Sequence, residues 1–289
     1  MATSVFSTPV DNSGNAGFQA WATELINALL AINPAQLTQT ADTGQLANPV
    51  VAARPGAINT AAGYWILKWD DGTTTPLYFK IEVGNGANVL NPMIWITVGT
   101  GSNGSGTLTG SVTTRSVACA NGAPASTTTN YTSYLCCTTG GFSLGWKLGA
   151  RGASATGMGG FATVRSIDDS GVVNNDGYVN YSITGSNAFQ SQSVNLSNST
   201  VFSATSISSV CIVPYGITAS VVGGNAQYFR HFAAYPLGRP LGHIVTVIPG
   251  EFATGTSFHG ESGSITDHTF LSPGTNWLLG TYNFAFIYE

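Results

Sequence analysis

Ionisable and nucleophilic side chains are few in this chain, and the densest group of them is His259, Glu261, Asp267 and His268. Two imidazoles and two carboxylates so close together could hold a divalent cation, since both groups are ligands for zinc and related metals. Their spacing fits no standard ligand pattern, however, and Gly260, Gly263 and Ser264 around them read as a surface loop. The expectation is a polar loop and no metal. Asp70-Asp71 and Asp168-Asp169 are adjacent acids at turn signals, where Asp commonly bonds its own backbone. Neighbouring strand residues diverge, so neither doublet makes an acid/base pair. His231 and His243 lie in apolar runs and read as satisfied, partly buried side chains.

Two motifs resemble catalytic or cofactor signatures without the context those signatures need. Gly99-Thr100-Gly101-Ser102-Asn103-Gly104 follows a strand, as a dinucleotide fingerprint does, but no helix opens after it to meet a pyrophosphate. A glycine-rich hairpin loop is expected there. Gly141-Phe142-Ser143-Leu144-Gly145 matches the nucleophile elbow, which works as a strained strand-to-helix turn in an α/β sheet. Further glycines follow it, so Ser143 reads as a strand residue.

Cys119, Cys136, Cys137 and Cys211 lack the paired spacing of a zinc site and read as small buried hydrophobes, with no disulfide pairing assigned. The 6 Trp and 11 Tyr could line a sugar platform, but their strand-period placement puts most of them in a core, leaving Trp69 and Trp277 at strand ends as exposed candidates. No catalytic, cofactor-binding or metal-binding residue is expected, and the chain reads as a non-enzyme.

The elements that must position these residues belong to an uncharged chain. Charged residues make up 8% of the 289, against roughly 25% in an average soluble protein. An apolar share of 43% and a net charge of −4 exclude wholesale disorder. The 9 Lys and Arg form no run or stripe, so neither nucleic acid nor an anionic membrane is an expected partner. Nothing in the sequence marks secretion or membrane insertion.

One segment has a helical period. Phe18, Trp21, Leu25, Leu29 and Ile32, widened by Ile26 and Leu30, predict an amphipathic helix over residues 17–33, stopped by Asn33-Pro34. Residues 47–59, with Pro49 and Pro55, read as an extended connector. The period then becomes two. Strands are predicted at 64–69, 77–83, 93–98 and 107–114, and after a small polar stretch at 120–129, at 131–137, 161–167, 172–183, 201–213, 217–222, 228–234, 243–248 and 281–288. Many short strands without alternating helices indicate a mostly β protein, antiparallel and sandwich- or barrel-like, with one N-terminal amphipathic helix. Two β sub-domains are expected: residues 1–115, helix plus β-meander, and residues 116–289, sandwich-like.

An ordered series of short blocks carries a resemblance. Phe18-Gln19-Ala20-Trp21, Thr40-Ala41-Asp42-Thr43-Gly44-Gln45, Arg54-Pro55, Asn59-Thr60-Ala61-Ala62-Gly63-Tyr64, Pro76-Leu77-Tyr78-Phe79-Lys80-Ile81-Glu82 and Ile94-Trp95-Ile96-Thr97-Val98-Gly99-Thr100-Gly101 resemble a group of tailed-bacteriophage virion proteins over about residues 17–115. The resemblance implies a structural component of the virion, assembled in the host bacterial cytoplasm, with no catalytic residues to carry over. Tail or baseplate is the leading placement. A capsid decoration or cement protein and a receptor- or carbohydrate-binding module, with a host-surface glycan as partner, are the alternatives.

Composition points the same way. No charge lies between Val83 and Thr114 or between Gly177 and Phe229, and such surfaces are cheap to desolvate at a protein contact. Copies of the chain itself and other virion proteins are the expected partners. Uncharged strand edges and the loops at 99–106 and 120–129 are the expected contacts, insensitive to molar salt.

Overall fold

Apolar residues at three- and four-residue intervals form helix α1 (Asn15–Ile32), which buries Phe18, Trp21, Ala22, Leu25, Ile26, Leu29 and Ile32. The predicted stripe is thus the buried face. Asn33 ends the helix, its carbonyl accepting from the N–H groups of Gln36 (2.9 Å) and Leu37 (2.8 Å). A second stripe, polar and spaced by four, holds the connector against α1. Asn27 Oδ1 accepts from Asn48 Nδ2 at 2.9 Å, and Thr23 Oγ1 accepts from the Val50 N–H at 2.9 Å. Gln19 Nε2 donates to the carbonyls of Val51 (2.8 Å) and Ala52 (3.2 Å), and Asn15 Oδ1 accepts from the Arg54 N–H at 3.0 Å. Residues four apart share one helix face, so this ladder gives partners to backbone groups that no sheet pairs.

The computed structural model describes residues 2–10, 14–86, 92–110, 112–118, 129–137, 139, 141–147, 158–167, 173–184, 188–196, 200–204, 228–234, 240–247, 264–265, 268–269, 277–279 and 284–287. Its strands begin with β1 (Ala2–Val10), β2 (Leu37–Gln39), β3 (Thr60–Trp69), β4 (Leu77–Asn85), β5 (Pro92–Gly99), β6 (Gly101–Ser102), β7 (Leu108–Thr109) and β8 (Thr113–Ala118). They continue with β9 (Thr129–Cys137), β10 (Gly141–Lys147), β11 (Met158–Ile167), β12 (Val173–Thr184), β13 (Ala188–Asn195) and β14 (Thr200–Ala204).

A five-stranded antiparallel sheet has the order β2-β3-β4-β5-β8, and a seven-stranded one has the order β1-β9-β10-β11-β12-β13-β14. Alternation buries Trp65, Leu67 and Trp69 of β3, Leu77, Phe79, Ile81 and Val83 of β4, and Ile94, Ile96 and Val98 of β5 on the inner face, and Ile66, on the outer face of β3, is buried as well. These residues share one core with the α1 stripe and with Leu135, Cys137, Phe142, Leu144, Phe161, Tyr178 and Val194 of the larger sheet. Phe79 sits at the junction, its ring centroid 4.8 Å from that of Phe142, 5.8 Å from that of Trp69 and 6.4 Å from that of Phe161.

The protein is therefore mostly β, antiparallel, with one N-terminal helix. The division expected at 115/116 runs through β8, and the first strand of the chain joins the sheet built by residues 129–204. Farther on, β15 (Tyr228–Ala234), β16 (Pro240–Val247), β19 (Trp277–Leu279) and β20 (Phe284–Ile287) form a four-stranded sheet in the order β15-β16-β20-β19. β17 (Ser264–Ile265) and β18 (His268–Thr269) form a short hairpin ladder. The strand expected at 217–222 lies outside the described residues, as does most of the polar stretch at 120–129.

Candidate functional site

The glycine-rich segment is a hairpin, as its sequence suggests. β6 pairs with β7, Gly101 opposite Thr109 and Ser102 opposite Leu108, and Asn103 Oδ1 accepts from the N–H groups of Ser105 (2.9 Å) and Thr107 (3.1 Å). Ser143 lies in mid-strand in β10, opposite Cys136 on one side and Ala162 on the other. His231 and His243 fall in β15 and β16, and His268 in β18. His259, Glu261, Asp267, Asp168, Asp169, Cys119 and Cys211 lie outside the described residues. Cys137 is buried. Among the described residues no three His, Cys, Asp or Glu side chains gather as a metal site requires, and no helix is long and apolar enough to cross a membrane.

Trp69 corrects an expectation. As the last residue of β3 it was expected at the surface, yet it is fully buried and stacks on Phe79 with an interplanar angle of 26°. Its strand parity puts it on the inner face, and that parity prevails over its position at the strand end.

Where the hairpin meets the chain's own residues 40–46, a latch forms around Asp42. Thr40 Oγ1 donates to Asp42 Oδ2 at 2.6 Å, Ser102 Oγ donates to Asp42 Oδ1, and the Gly106 N–H reaches the same oxygen at 3.4 Å. The Thr43 N–H donates to the Gly104 carbonyl at 3.0 Å, and Tyr64 Oη donates to the Thr43 carbonyl at 2.7 Å. The loop at 99–106 is thus tied to its own chain.

Burial pushes the Asp42 carboxyl up, but the hydroxyls of Ser102 and Thr40 and the Gly106 N–H together outweigh it and hold the group below its ordinary value. A carboxyl depressed by folding adds stability that is fully present above its unfolded value of about 3.9 and is lost as the pH falls through the lower folded value. The latch is therefore complete at neutral pH and weakens only in acid. Asp42→Asn is expected to flatten the acid limb of a urea-midpoint profile taken from about pH 5 down to about pH 2. An unchanged limb would show that Asp42 does not govern it. Gly106 adopts φ +91°, and a Cβ there would run into Tyr64 Oη. Gly106→Ala should cost about 1–3 kcal/mol, seen as a lower melting temperature.

Beside the latch, the outer face of the five-stranded sheet carries Tyr64, Tyr78, Lys80, Glu82, Trp95 and Thr97, all half-buried. Tyr64, Glu82 and Trp95 lie in one cross-strand row, Lys80 and Thr97 in the next. Lys80 Nζ pairs with Glu82 at 3.2 Å and stands 4.7 Å from the Tyr64 ring centroid. Rings flanked by an ion pair make a face able to stack against a flat partner and bond its polar rim.

The strongest polar joint is internal. The turn between β3 and β4 presents Asp71, whose Oδ1 accepts from the Thr73 N–H at 3.1 Å, the local bond expected of an Asp in a turn. Its Oδ2 accepts from Nε of Arg165, on β11 of the opposite sheet, and both side chains are fully buried. Arg165 Nη2 donates to Thr73 Oγ1 at 2.7 Å and to the Thr75 carbonyl. From β12, Asn175 Oδ1 accepts from the Thr75 N–H at 3.0 Å, and Asn175 Nδ2 donates to Thr74 Oγ1 at 2.7 Å. The larger sheet therefore grips the turn of the smaller one. Asp70, next along the chain, is exposed and pairs with Lys68 at 3.0 Å.

Nearby, Asn180 links the sheets, its Nδ2 donating to Thr113 Oγ1 while its Oδ1 accepts from Thr163 Oγ1 at 2.6 Å. Tyr178 Oη donates to the Val98 carbonyl at 3.3 Å, and burial pushes its pKa up to about 12. A phenol raised in this way contributes stability that is fully present below its unfolded value of about 10 and is lost as the pH rises through about 12. Tyr178→Phe is expected to remove that alkaline loss from a stability profile, at about 1 kcal/mol of stability near neutral pH.

The Asp71 pairing was not legible from spacing, because its partner lies 94 positions away. One signal was present. Phe161, Thr163 and Arg165 share a strand parity, so a buried Phe161 demands a buried Arg165, and a buried cation demands an anion. No protein-family model, curated protein or solved structure matches the chain.

Proposed function

We propose that the chain is a non-catalytic structural component of a tailed-bacteriophage virion, acting as an assembly protein in the tail or baseplate region. The observation that carries this reading is the use made of its polar side chains. Asp42, Asp71, Arg165, Asn175 and Asn180 each join one element of the chain to another. Such groups tie the hairpin and the two sheets to one another, while the edge strands β1, β2 and β14 carry no charge. The resemblance over residues 17–115 supports the same reading, since it spans α1 and nearly all of the five-stranded sheet.

The reading is tested by locating the chain in purified particles, with labelled antibody and mass spectrometry, and by deleting its coding sequence. Labelling at the tail or baseplate and loss of infectious particles are expected. Labelling spread over the capsid would select the decoration or cement role, and absence from particles would defeat both.

A receptor- or glycan-binding role is favoured by one observation, the row of Tyr64, Glu82 and Trp95 on the outer sheet face. Binding on a glycan array that Trp95→Ala abolishes would select it.

A further inference from the structure

We propose that the tip of the β6–β7 hairpin is a self-modifying site, in which the backbone nitrogen of Gly104 closes on the side-chain amide of Asn103 and converts it, through a succinimide, to an aspartyl or isoaspartyl residue. Three features converge there. Asn103 is exposed, and its Oδ1 accepts from the N–H groups of Ser105 at 2.9 Å and Thr107 at 3.1 Å. Donors at such distances stabilise the charge that gathers on this oxygen when Cγ is attacked. Among the described residues nothing holds Asn103 Nδ2, the leaving group. On the attacking side, the Gly104 N–H donates to Ser102 Oγ at 3.3 Å, and Ser102 Oγ in turn donates to Asp42 Oδ1. The oxygen facing the amide hydrogen is thus backed by a carboxylate, which favours withdrawal of that proton. Gly104 adopts φ +81°, and a Cβ there would meet nothing within 4 Å, so no neighbour obstructs ring closure.

The step needs water and no other reactant. The bond between Gly104 N and Asn103 Cγ forms, the Cγ–Nδ2 bond breaks, and Nδ2 leaves as ammonia with the proton that Gly104 gives up. Water then opens the imide. Opening at Cγ leaves aspartate, whereas opening at the main-chain carbonyl leaves isoaspartate, with the chain running through the side chain and lengthened by one methylene. That lengthening displaces the Gly104 carbonyl, which now accepts from the Thr43 N–H at 3.0 Å, and so loosens the latch. The same dipeptide at Asn85-Gly86 has the opposite setting. Asn85 is fully buried, its Nδ2 donates to the Pro55 carbonyl, and its Oδ1 accepts from Arg54 Nε at 2.8 Å. Its leaving group is therefore tied down inside the fold. Asn121-Gly122 lies outside the described residues.

This inference goes beyond the assembly reading and does not rest on it. The full chain is incubated at mildly alkaline pH, folded and, in parallel, unfolded in guanidinium chloride. Conversion is followed by mass spectrometry of the tryptic peptide 81–115, which carries both Asn85 and Asn103. Asn103 is expected to convert about ten-fold or more faster in the folded chain than in the unfolded one, and Asn85 only in the unfolded one. Ser102→Ala and Asp42→Asn are expected to slow the folded reaction at Asn103 by about ten-fold. Thr40→Ala, which removes another hydroxyl from Asp42 at a distance from Gly104, is expected not to slow it. The sign of the change is the discriminating readout, since a merely structural role for Ser102 and Asp42 would free the hairpin and speed conversion. Folded Asn103 that converts no faster than unfolded Asn103 would overturn the inference, whether or not the variants fold. So would folded Ser102→Ala and Asp42→Asn variants that convert as fast as the parent or faster.

Discussion

Asp71→Ala is expected to destabilise the fold by about 3–5 kcal/mol, because it leaves the Arg165 guanidinium buried with no counter-charge. Both side chains have 0% exposure, so solvent cannot take the place of the lost partner. Arg165→Met should be costly for the mirror reason, since the Asp71 carboxylate is then enclosed with Thr73 alone among its present side-chain partners. The pair is not thereby a large net stabiliser. Enclosing two charges costs desolvation that their attraction roughly offsets, so Asp71→Asn combined with Arg165→Met should recover much of either single loss. Urea unfolding of the parent, Asp71→Asn, Arg165→Met and the double variant measures the coupling. A loss below about 1 kcal/mol for Asp71→Ala would mean that water reaches the joint.

Phe79→Ala is the second large effect, about 3–5 kcal/mol. Its ring is fully buried and meets Trp69 from its own sheet and Phe142 and Phe161 from the other, so truncation opens a cavity between two sheets rather than within one. Both sheets are fixed by their ladders and can collapse only partly into that space. Phe79→Leu should cost markedly less by filling most of the volume. Because Phe79 and Phe142 line the same space, their alanine variants together should cost less than the sum of the two. Full additivity in thermal or urea unfolding would show that the two rings do not share one packed layer.

These two sites mark what each level of description determines. The helix stripe from Phe18 to Ile32, the alternation of β3, β4 and β5, the hairpin at Gly101–Ser102 and the turn at Asp70-Asp71-Gly72 were all legible in the sequence. Each depends on residues a few positions apart, and backbone geometry maps that spacing directly onto one face or one turn. The ladder from Asn15 to Asn27 was equally local and is written in its spacing of four, though only the extended connector alongside it gives the polar residues their purpose.

Tertiary structure alone decided the rest. Periodicity states that a face is buried but not what buries it, so nothing local says that β1 joins the sheet of β9 or that Trp69 packs inward on Phe79. The choice of Asp71 over Asp70 as the buried acid follows from which of two adjacent side chains faces Arg165, and of Asp42 as the latch from where the hairpin lands. Such long-range pairings are selected by the joint packing of two sheets and a helix, in which each buried polar group must find its partner at the place the apolar core leaves for it.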